Sequence, residues 1–270
     1  MPRPGRYFDR LSGKVAIVTG AGSRGEPFGT GKAIAYLFAR EGARVCLVDL
    51  DRQRAEQTQS IIAGDGGEAF VAVADVARDA DDEAVVRTTV QRWGRIDILI
   101  NNAGISLGGG RLERLEEAAW DRVLDVNLKS AMLLAKHAIP HMTGGGAIVN
   151  ITSVAALRAH GVVPYGASKA ALIALTRELA VLYGRDGIRA NAIAPGHIYT
   201  PMVSGGLDEK VRERRRKVAP LGIEGDAWEV AAAALFLAGD EARFITGVCL
   251  PVDGGVTQTA ALTGHAFITE

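Results

Sequence analysis

The chain has 270 residues, 48% of them hydrophobic, with 31 basic and 31 acidic side chains and no formal net charge. That balance gives no global electrostatic reason to expect nucleic acid or an anionic membrane as partner, and no run is long and apolar enough to span a bilayer. Cys46 and Cys249 sit in apolar, strand-like runs and read as buried free thiols of a reducing compartment rather than a disulfide.

The first six residues lack the apolar core of a signal peptide, so a cytoplasmic location is expected. Residues 1–12 read as an N-terminal extension. Residues 14–19 are a continuous apolar run ending in glycines, the pattern of a strand buried on both faces. A glycine-rich stretch follows: Thr19-Gly20-Ala21-Gly22-Ser23, a five-residue excursion over 24–28, then Gly29-Thr30-Gly31. Residues 32–41 have helical periodicity, so these glycines sit where a strand turns into a helix. There they let the backbone approach a pyrophosphate at the positive end of the helix dipole. A flexible loop is the plainer alternative for a glycine cluster taken alone.

Residues 44–48 form a second strand that closes on Asp49, and 51–63 a second helix. A carboxylate at that point accepts hydrogen bonds from a ribose 2′-OH and repels a 2′-phosphate, which favours NAD over NADP. Arg24 is the residue that would argue the other way. Strands at 69–73 and 96–100 flank a helix at 79–93. Asp75-Val76 after the third strand is placed to meet an adenine edge. Asn101-Asn102-Ala103-Gly104 after the fourth offers small residues for a ribose and an amide to brace neighbouring strands. Residues 116–142 read as one long helix or two abutting ones, and 147–151 as the next strand.

Ser153 lies just beyond that strand, and Tyr165-Gly166-Ala167-Ser168-Lys169 opens a helix over 165–183. A tyrosine and a lysine at i and i+4 share one helix face. A neighbouring ammonium lowers a phenol's pKa, and a phenol that ionises near neutrality exchanges a proton with an alcohol or carbonyl. In isolation such a pair more often marks an amphipathic helix with a solvated charge. Further strands are expected at 189–193 and 248–252, and a last helix at 228–238. The basic run Arg212, Arg214, Arg215, Arg216 and Lys217 is interleaved with Glu209 and Glu213 and reads as a solvated helix face. Repeated β-α-β units argue for an α/β fold: a doubly wound parallel sheet with helices on both faces, joined by right-handed crossovers. No internal repeat or linker marks a second domain, and one domain is expected over 13–255.

These pieces resemble the short-chain dehydrogenase/reductase family from Leu11 to about Gly255. The resemblance rests on the glycine loop, Asp49, the Asn101–Gly104 turn, Asn127, Ser153, Tyr165-x-x-x-Lys169, Pro195-Gly196 and Val252-Asp253-Gly254-Gly255. It implies a single Rossmann-type domain, a nicotinamide cofactor and a homotetramer. It also implies roles. Tyr165 is the general acid/base, and Lys169 lowers its pKa and holds the nicotinamide ribose. Ser153 binds the substrate oxygen, and Asn127 holds a water that links Lys169 to solvent. Gly20, Ser23, Gly29, Thr30 and Gly31 would cradle the pyrophosphate. Asp49, Asp75, Val76, Asn102, Ala103 and Gly104 would hold the adenosine half. Pro195, Gly196, Ile198 and Thr200 would shape the nicotinamide pocket. No metal is implied. The excursion at 24–28 departs from the family's Thr-Gly-x-x-x-Gly-x-Gly loop; its proline and phenylalanine suggest an ordered excursion.

Three functions are consistent with this reading: an NAD(H)-dependent oxidoreductase acting on a secondary alcohol or ketone, an NADPH-dependent 3-oxoacyl thioester reductase, and a non-catalytic dinucleotide sensor. Substrate contacts are expected from Ile105, Ser106, Val154, Arg158, His160, His197, Tyr199 and a loop at 202–221, within a substrate-loop insertion near 200–221, which suits a mid-sized hydrophobic or cyclic secondary alcohol. Ala167, Ala170, Ala171 and Ala174 would let two helices pack closely across a subunit interface. The tail 256–270 carries Leu262, Phe267 and Ile268 and almost no charge, so it is expected to be ordered against a neighbouring subunit. There His265 or Phe267 would reach that neighbour's active-site mouth.

Overall fold

A computed structural model describes residues 9–23, 25 and 27–269. Seven strands form one sheet: β1 (Val15–Thr19), β2 (Arg44–Asp49), β3 (Ala69–Val73), β4 (Ile98–Asn101), β5 (Gly146–Ile151), β6 (Ile188–Pro195) and β7 (Cys249–Val252). All neighbours pair in parallel, in the order β3-β2-β1-β4-β5-β6-β7. The helices, in chain order, are α1 (Thr30–Arg40), α2 (Arg52–Gly64), α3 (Asp79–Trp93), α4 (Glu117–Leu124), α5 (Ser130–Ala138), α6 (Val163–Tyr183), α7 (Pro201–Ser204), α8 (Glu209–Lys217), α9 (Ala227–Ala238) and α10 (Ala261–Thr269).

The period of two along β1 divides the molecule into layers. Ala16 and Val18 face one core with Ala33, Ile34 and Phe38 of α1 and Val230, Ala231 and Ala234 of α9. Val15 and Ile17 face the other, with Val85 and Val86 of α3, Leu134 of α5 and Leu179 of α6. Both faces are covered, so the strands read as unbroken apolar runs. Strand order reverses between β1 and β4, and in doubly wound sheets a ligand crevice opens at the carboxyl ends of such a pair.

Differences from the sequence reading are local. The first strand starts one residue late, and α1 begins at Thr30 rather than 32 because a glycine can occupy its first turn. The fourth strand runs 98–101 rather than 96–100, and the last starts at Cys249. The 116–142 stretch is α4 and α5 joined through a π-helical turn, Asp125–Lys129, which contains Asn127. The insertion near 200–221 holds α7 and α8. The expected tail is helical: α10 packs against α8 of its own chain, so the tail has an intrachain seat. Phe267 is half-buried there and Ile268 stays exposed. Both cysteines are free.

Candidate active site

The crevice at the strand ends is a cleft of about 290 Å³. One wall is built by the turn from β1 into α1. Gly20 has φ +62, and a Cβ on Gly31 would sit 2.0 Å from the Gly20 carbonyl and 2.5 Å from Asn102 Nδ2. Only glycine fits at 31, where helix and loop meet this closely. α1 starts on Gly29 with extended backbone, with no side-chain cap and no acidic residue in its first turn. Its positive end therefore faces the cleft with no carboxylate in that turn to offset it. Ser23 ties the loop on both sides: its hydroxyl donates to the Gly25 carbonyl at 2.9 Å and accepts from Gly29 N–H at 3.2 Å.

Asp49 lines the same cleft. Its Oδ2 accepts from Gly22 N–H at 2.8 Å and its Oδ1 from Asp51 N–H at 3.0 Å, which hold the carboxylate in one orientation. Asn102 staples β4 to β1: its amide nitrogen donates to the Thr19 carbonyl at 2.8 Å, and its Oδ1 accepts from Thr30 Oγ1 at 2.7 Å. Asn101 braces the strands below, donating to Asn150 Oδ1 at 2.8 Å, while Asn150 donates to Thr176 Oγ1 at 2.8 Å. An uncapped helix start and a fixed carboxylate on one cleft fit a pyrophosphate and a ribose diol, so the residues present suit a dinucleotide.

The opposite wall carries Ser153, Tyr165 and Lys169, all lining the cleft. Lys169 is buried at 3% exposure, and among the described residues it makes no salt bridge. Its ammonium donates to the Ile151 carbonyl at 2.9 Å, and its own carbonyl accepts from Thr152 Oγ1 at 2.7 Å. Burial pulls the Lys169 pKa down to about 8. The phenol of Tyr165 is pushed upward by burial, against which the Ser153 hydroxyl acts in the other direction. Burial, and not Lys169, sets the direction of the phenol's shift here. The ammonium lies 5.8 Å from the centre of the tyrosine ring and is turned toward Ile151. Desolvation, which disfavours the phenolate, wins. Ser153 Oγ accepts from Ala155 N–H at 3.1 Å and keeps its proton to donate.

Asn127 stands behind this wall. Its amide donates to the Ile105 carbonyl at 2.9 Å and to Ser168 Oγ at 3.1 Å, and its oxygen accepts from Ile105 N–H at 2.8 Å. A Cβ on Gly104 would lie 3.2 Å from Lys169 Nζ and 3.4 Å from Asn127 Oδ1, so the glycine lets that strand end close over both.

Two findings show what this arrangement belongs to. A family model described as Enoyl-(Acyl carrier protein) reductase matches residues 26–257. A short-chain dehydrogenase/reductase structure from Burkholderia xenovorans superimposes with a TM-score of 0.88 at 43% identity, covering 93% of this chain and 99% of that one. The chain belongs to the short-chain dehydrogenase/reductase family. It is also 40% identical over 250 residues to a 3-oxoacyl-[acyl-carrier-protein] reductase of Thermotoga maritima, covering 92% of this chain and 99% of the relative. To a cis-4-hydroxycyclohexanecarboxylate dehydrogenase of Sinomonas cyclohexanicum it is 39% identical over 247 residues, covering 90% and 96%. As a family member it is an oxidoreductase whose cofactor is a nicotinamide dinucleotide.

Of the predicted residues, the cleft gathers Gly20, Ser23, Gly29, Thr30, Gly31, Asp49, Asn102, Ala103, Gly104, Ser153, Tyr165, Lys169, Pro195, Gly196, Ile198 and Thr200. Asp75 and Val76 are not among the residues that line it. The Asp75 carboxylate accepts from Ala77 N–H at 3.1 Å and pairs with Arg122 at 3.1 Å, while Val76 is buried in the second core. Three expected substrate residues are engaged elsewhere. Arg158 donates to the Thr257 carbonyl at 2.7 and 3.2 Å, anchoring the start of the tail. His197 Nδ1 lies 3.3 Å from the Arg215 carbonyl, and the Arg212 guanidinium covers the Tyr199 ring at 3.9 Å. Gly22, Thr152, Pro201, Met202 and Val203 line the cleft without having been singled out as cofactor or catalytic residues. Thr152 carried a usable signal, since it adjoins Ser153. Arg24, the candidate 2′-phosphate ligand, and Glu26 lie outside the described residues, as do residues 1–8 of the expected N-terminal extension and the side chain of Leu262.

Among the described residues no helix is long and apolar enough to cross a membrane, and no group of three His, Cys, Asp or Glu side chains is placed to hold a metal.

Proposed function

We propose that the protein is an NAD(H)-dependent dehydrogenase that interconverts a mid-sized or cyclic secondary alcohol and its ketone, with Tyr165 as general acid/base. The observation that carries this reading is the shared cleft: Ser153, Tyr165 and Lys169 form one wall, and Asp49 and the uncapped start of α1 the other. The nicotinamide, when bound, supplies the hydride acceptor or donor. The chain's own residues do the rest. Ser153 donates a hydrogen bond to the substrate oxygen. Tyr165 Oη takes the hydroxyl proton during oxidation and returns it during reduction. Lys169, buried and still largely cationic at neutral pH, stabilises the phenolate once its ammonium turns from the Ile151 carbonyl. Both N–H donors of the Asn127 side chain are taken by Ile105 and Ser168, so a relay water would be held through an oxygen of this residue, such as its main-chain carbonyl within the π-helical turn.

Preference for NAD follows from Asp49, whose charge repels a 2′-phosphate. A second reading, an NADPH-dependent 3-oxoacyl thioester reductase, is favoured by the Thermotoga maritima relative's name. Against it stand Asp49 and the state of the basic run. Arg212, Arg215 and Arg216 all make intrachain ion pairs with Glu209, Glu213 or Glu224, which leaves Arg214 and Lys217 of the run for an acidic carrier protein. The name of the Sinomonas relative supports a ring-bearing substrate. A purely binding role is disfavoured by the complete Ser153–Tyr165–Lys169 set. The protein is further read as a cytoplasmic homotetramer. Ala167, Ala170 and Ala174 of α6 are exposed in the single chain, beside Val181 at 80% and Leu182 at 64% exposure, so these residues do not fit the helix to its own sheet.

Fluorescence titration with NADH and NADPH, followed by a panel of cyclic and linear secondary alcohols and ketones, tests this. Tighter binding of NADPH, or turnover of 3-oxoacyl thioesters alone, would replace the first reading by the second.

A further inference from the structure

The loop after β6 is tied to the core at an unusual place. Residues 197–199 run beside Gly225: Gly225 N–H donates to the His197 carbonyl at 3.2 Å, and Tyr199 N–H to the Gly225 carbonyl at 2.8 Å. Ile198 and Thr200 line the cleft, as do Pro201, Met202 and Val203 just beyond. α8 follows after Gly205-Gly206 and the capping Asp208, whose Oδ1 accepts from Val211 N–H at 2.8 Å.

Glu224 adjoins Gly225 and lies two residues before Asp226, the N-cap of α9, a helix packed into the main core. Its side chain is 5% exposed. Both of its oxygens face α8. Arg212 Nε donates to Oε2 at 2.9 Å, and Arg215 Nε stands 3.6 Å from Oε1. The same two arginines reach the cleft wall: Arg215 Nη2 donates to the Ile198 carbonyl at 3.2 Å, and Arg212 stacks on Tyr199. One buried carboxylate thus joins three parts: the core before α9, the basic helix α8, and the strand end that shapes the nicotinamide side of the cleft.

We propose that Glu224 is the latch of the substrate lid, a positioning residue that clasps α8 to the core and confines lid movement to residues 201–208. Exposed charge pairs along α8, such as Arg216 with Glu213, hold only the helix to itself. The Glu224 pairs are ion pairs that tie it to the core before α9, alongside the Arg215–Ile198 hydrogen bond and the packing of α10. With α8 fixed, Met202 and Val203 swing over the cleft on the Gly205-Gly206 segment and return to the same place, which sets how tightly a ketone is enclosed. Because the carboxylate is buried between two guanidinium groups, removing its charge leaves Arg215 without an acidic partner among the described residues and Arg212 with only the exposed Glu209.

This rests on the reading of the cleft as a dehydrogenase site, and the tests separate the two ideas. In the unmodified protein, hydrogen exchange should be at least about tenfold slower at the interior amides of α8 than across 201–208, since protection follows the free energy of local opening. Equal exchange in the two segments would overturn the latch without any variant. In Glu224→Gln, tryptic cleavage after Lys210 and Arg214 should accelerate about tenfold while cleavage elsewhere keeps its rate, because cleavage reports the population of the opened helix. With cyclohexanone and NADH the same variant should show KM raised about tenfold, kcat within about threefold and NADH affinity within about twofold, the pattern of lost substrate enclosure. A variant that loses NADH affinity in step with KM would mark Glu224 as a general support of the wall and refute the proposal. Failure of the unmodified protein to bind NADH or reduce cyclohexanone would count against the proposed function, while exchange and proteolysis still judge the latch.

Discussion

Replacing Asp82 with asparagine is expected to stabilise the protein by several kcal/mol at pH 8 and by only about 1.5 kcal/mol at pH 5. Asp82 lies in the first turn of α3, fully buried, and neither of its carboxylate oxygens has a hydrogen-bond partner. Burial, and then the negative charges of Asp79, Asp81 and Asp75, push its pKa up to about 8. The cations nearby are directed to those neighbours: Arg122 to Asp75, Lys136 to Asp79, and Arg78 toward Asp81. Below about pH 4 folded and unfolded chains both keep this proton. Between about 4 and about 8 the unfolded carboxyl has released it while the folded one holds it, so stability falls as pH rises, by at most about 1.4 kcal/mol per pH unit. The loss is complete above about 8, with a ceiling of about 5 kcal/mol over the window. Lys169 contributes with the opposite sign in a different window. Its folded pKa of about 8 lies below the ordinary lysine value, so its penalty is present below 8 and is relieved only above it. His197 and Glu229 also carry shifts that bear on this window, so the difference between variant and unmodified protein at each pH, in which they cancel, is what isolates Asp82. The asparagine variant carries the same buried polar shape and no titration. At about 2 °C per kcal/mol for a chain of this size, it should melt up to about 10 °C higher than the unmodified protein at pH 8. Melting curves whose difference does not change between pH 5 and 8 would refute the argument.

Four further outcomes follow from the geometry. Tyr165→Phe keeps the ring and loses the proton-carrying oxygen, so kcat should fall about 10²–10⁴-fold with NADH affinity unchanged in a fluorescence titration. Asp49→Ser removes the charge that opposes a 2′-phosphate, and the ratio of NADPH to NADH dissociation constants should fall by about tenfold, equivalent to about 1.4 kcal/mol. Gly31→Ala drives a Cβ to 2.0 Å from the Gly20 carbonyl, a backbone atom that cannot step aside; chemical denaturation should show a loss of about 2 kcal/mol or more, with NADH binding abolished. Deleting residues after Thr259 removes α10 from α8, and steady-state kinetics should show a raised KM, while native mass measurement reports whether the same tail also holds an oligomer.

The residues that were legible in the sequence are those whose role is fixed by chain neighbours. β1, β2 and β4 announced themselves because they are buried on both faces, so the apolar run needs no knowledge of what covers it. Gly31 and Gly20 were legible because a strand-to-helix turn must be tight whatever ligand it serves. Asp49 was legible because the end of β2 is a position defined along the chain. What could not be read were commitments made across the fold. Arg158 looks like a substrate ligand until the Thr257 carbonyl, 99 residues away, is seen to occupy it. Asp75 looks poised for an adenine edge until Arg122, 47 residues away, takes its carboxylate. The basic run was legible as a helix face, yet the sequence does not say that Arg212 and Arg215 turn inward to a glutamate beyond the next turn.

Tyr165 and Lys169 show the same limit at the centre of the site. Their spacing places both on one helix face, and from that alone the ammonium should draw the phenol's pKa down. The same face, however, is the one α6 turns into the protein, where water is lost from both groups. Desolvation raises the acid and lowers the base, and because the two groups start from nearly equal ordinary values it drives them apart: the phenol goes up and the ammonium comes down to about 8. The ammonium meanwhile spends a hydrogen bond on Ile151, a partner no spacing rule names. The activation inferred from the i, i+4 pair therefore belongs to the liganded cleft, where Lys169 gains partners other than a backbone carbonyl, and the helix spacing supplies only the proximity on which it depends.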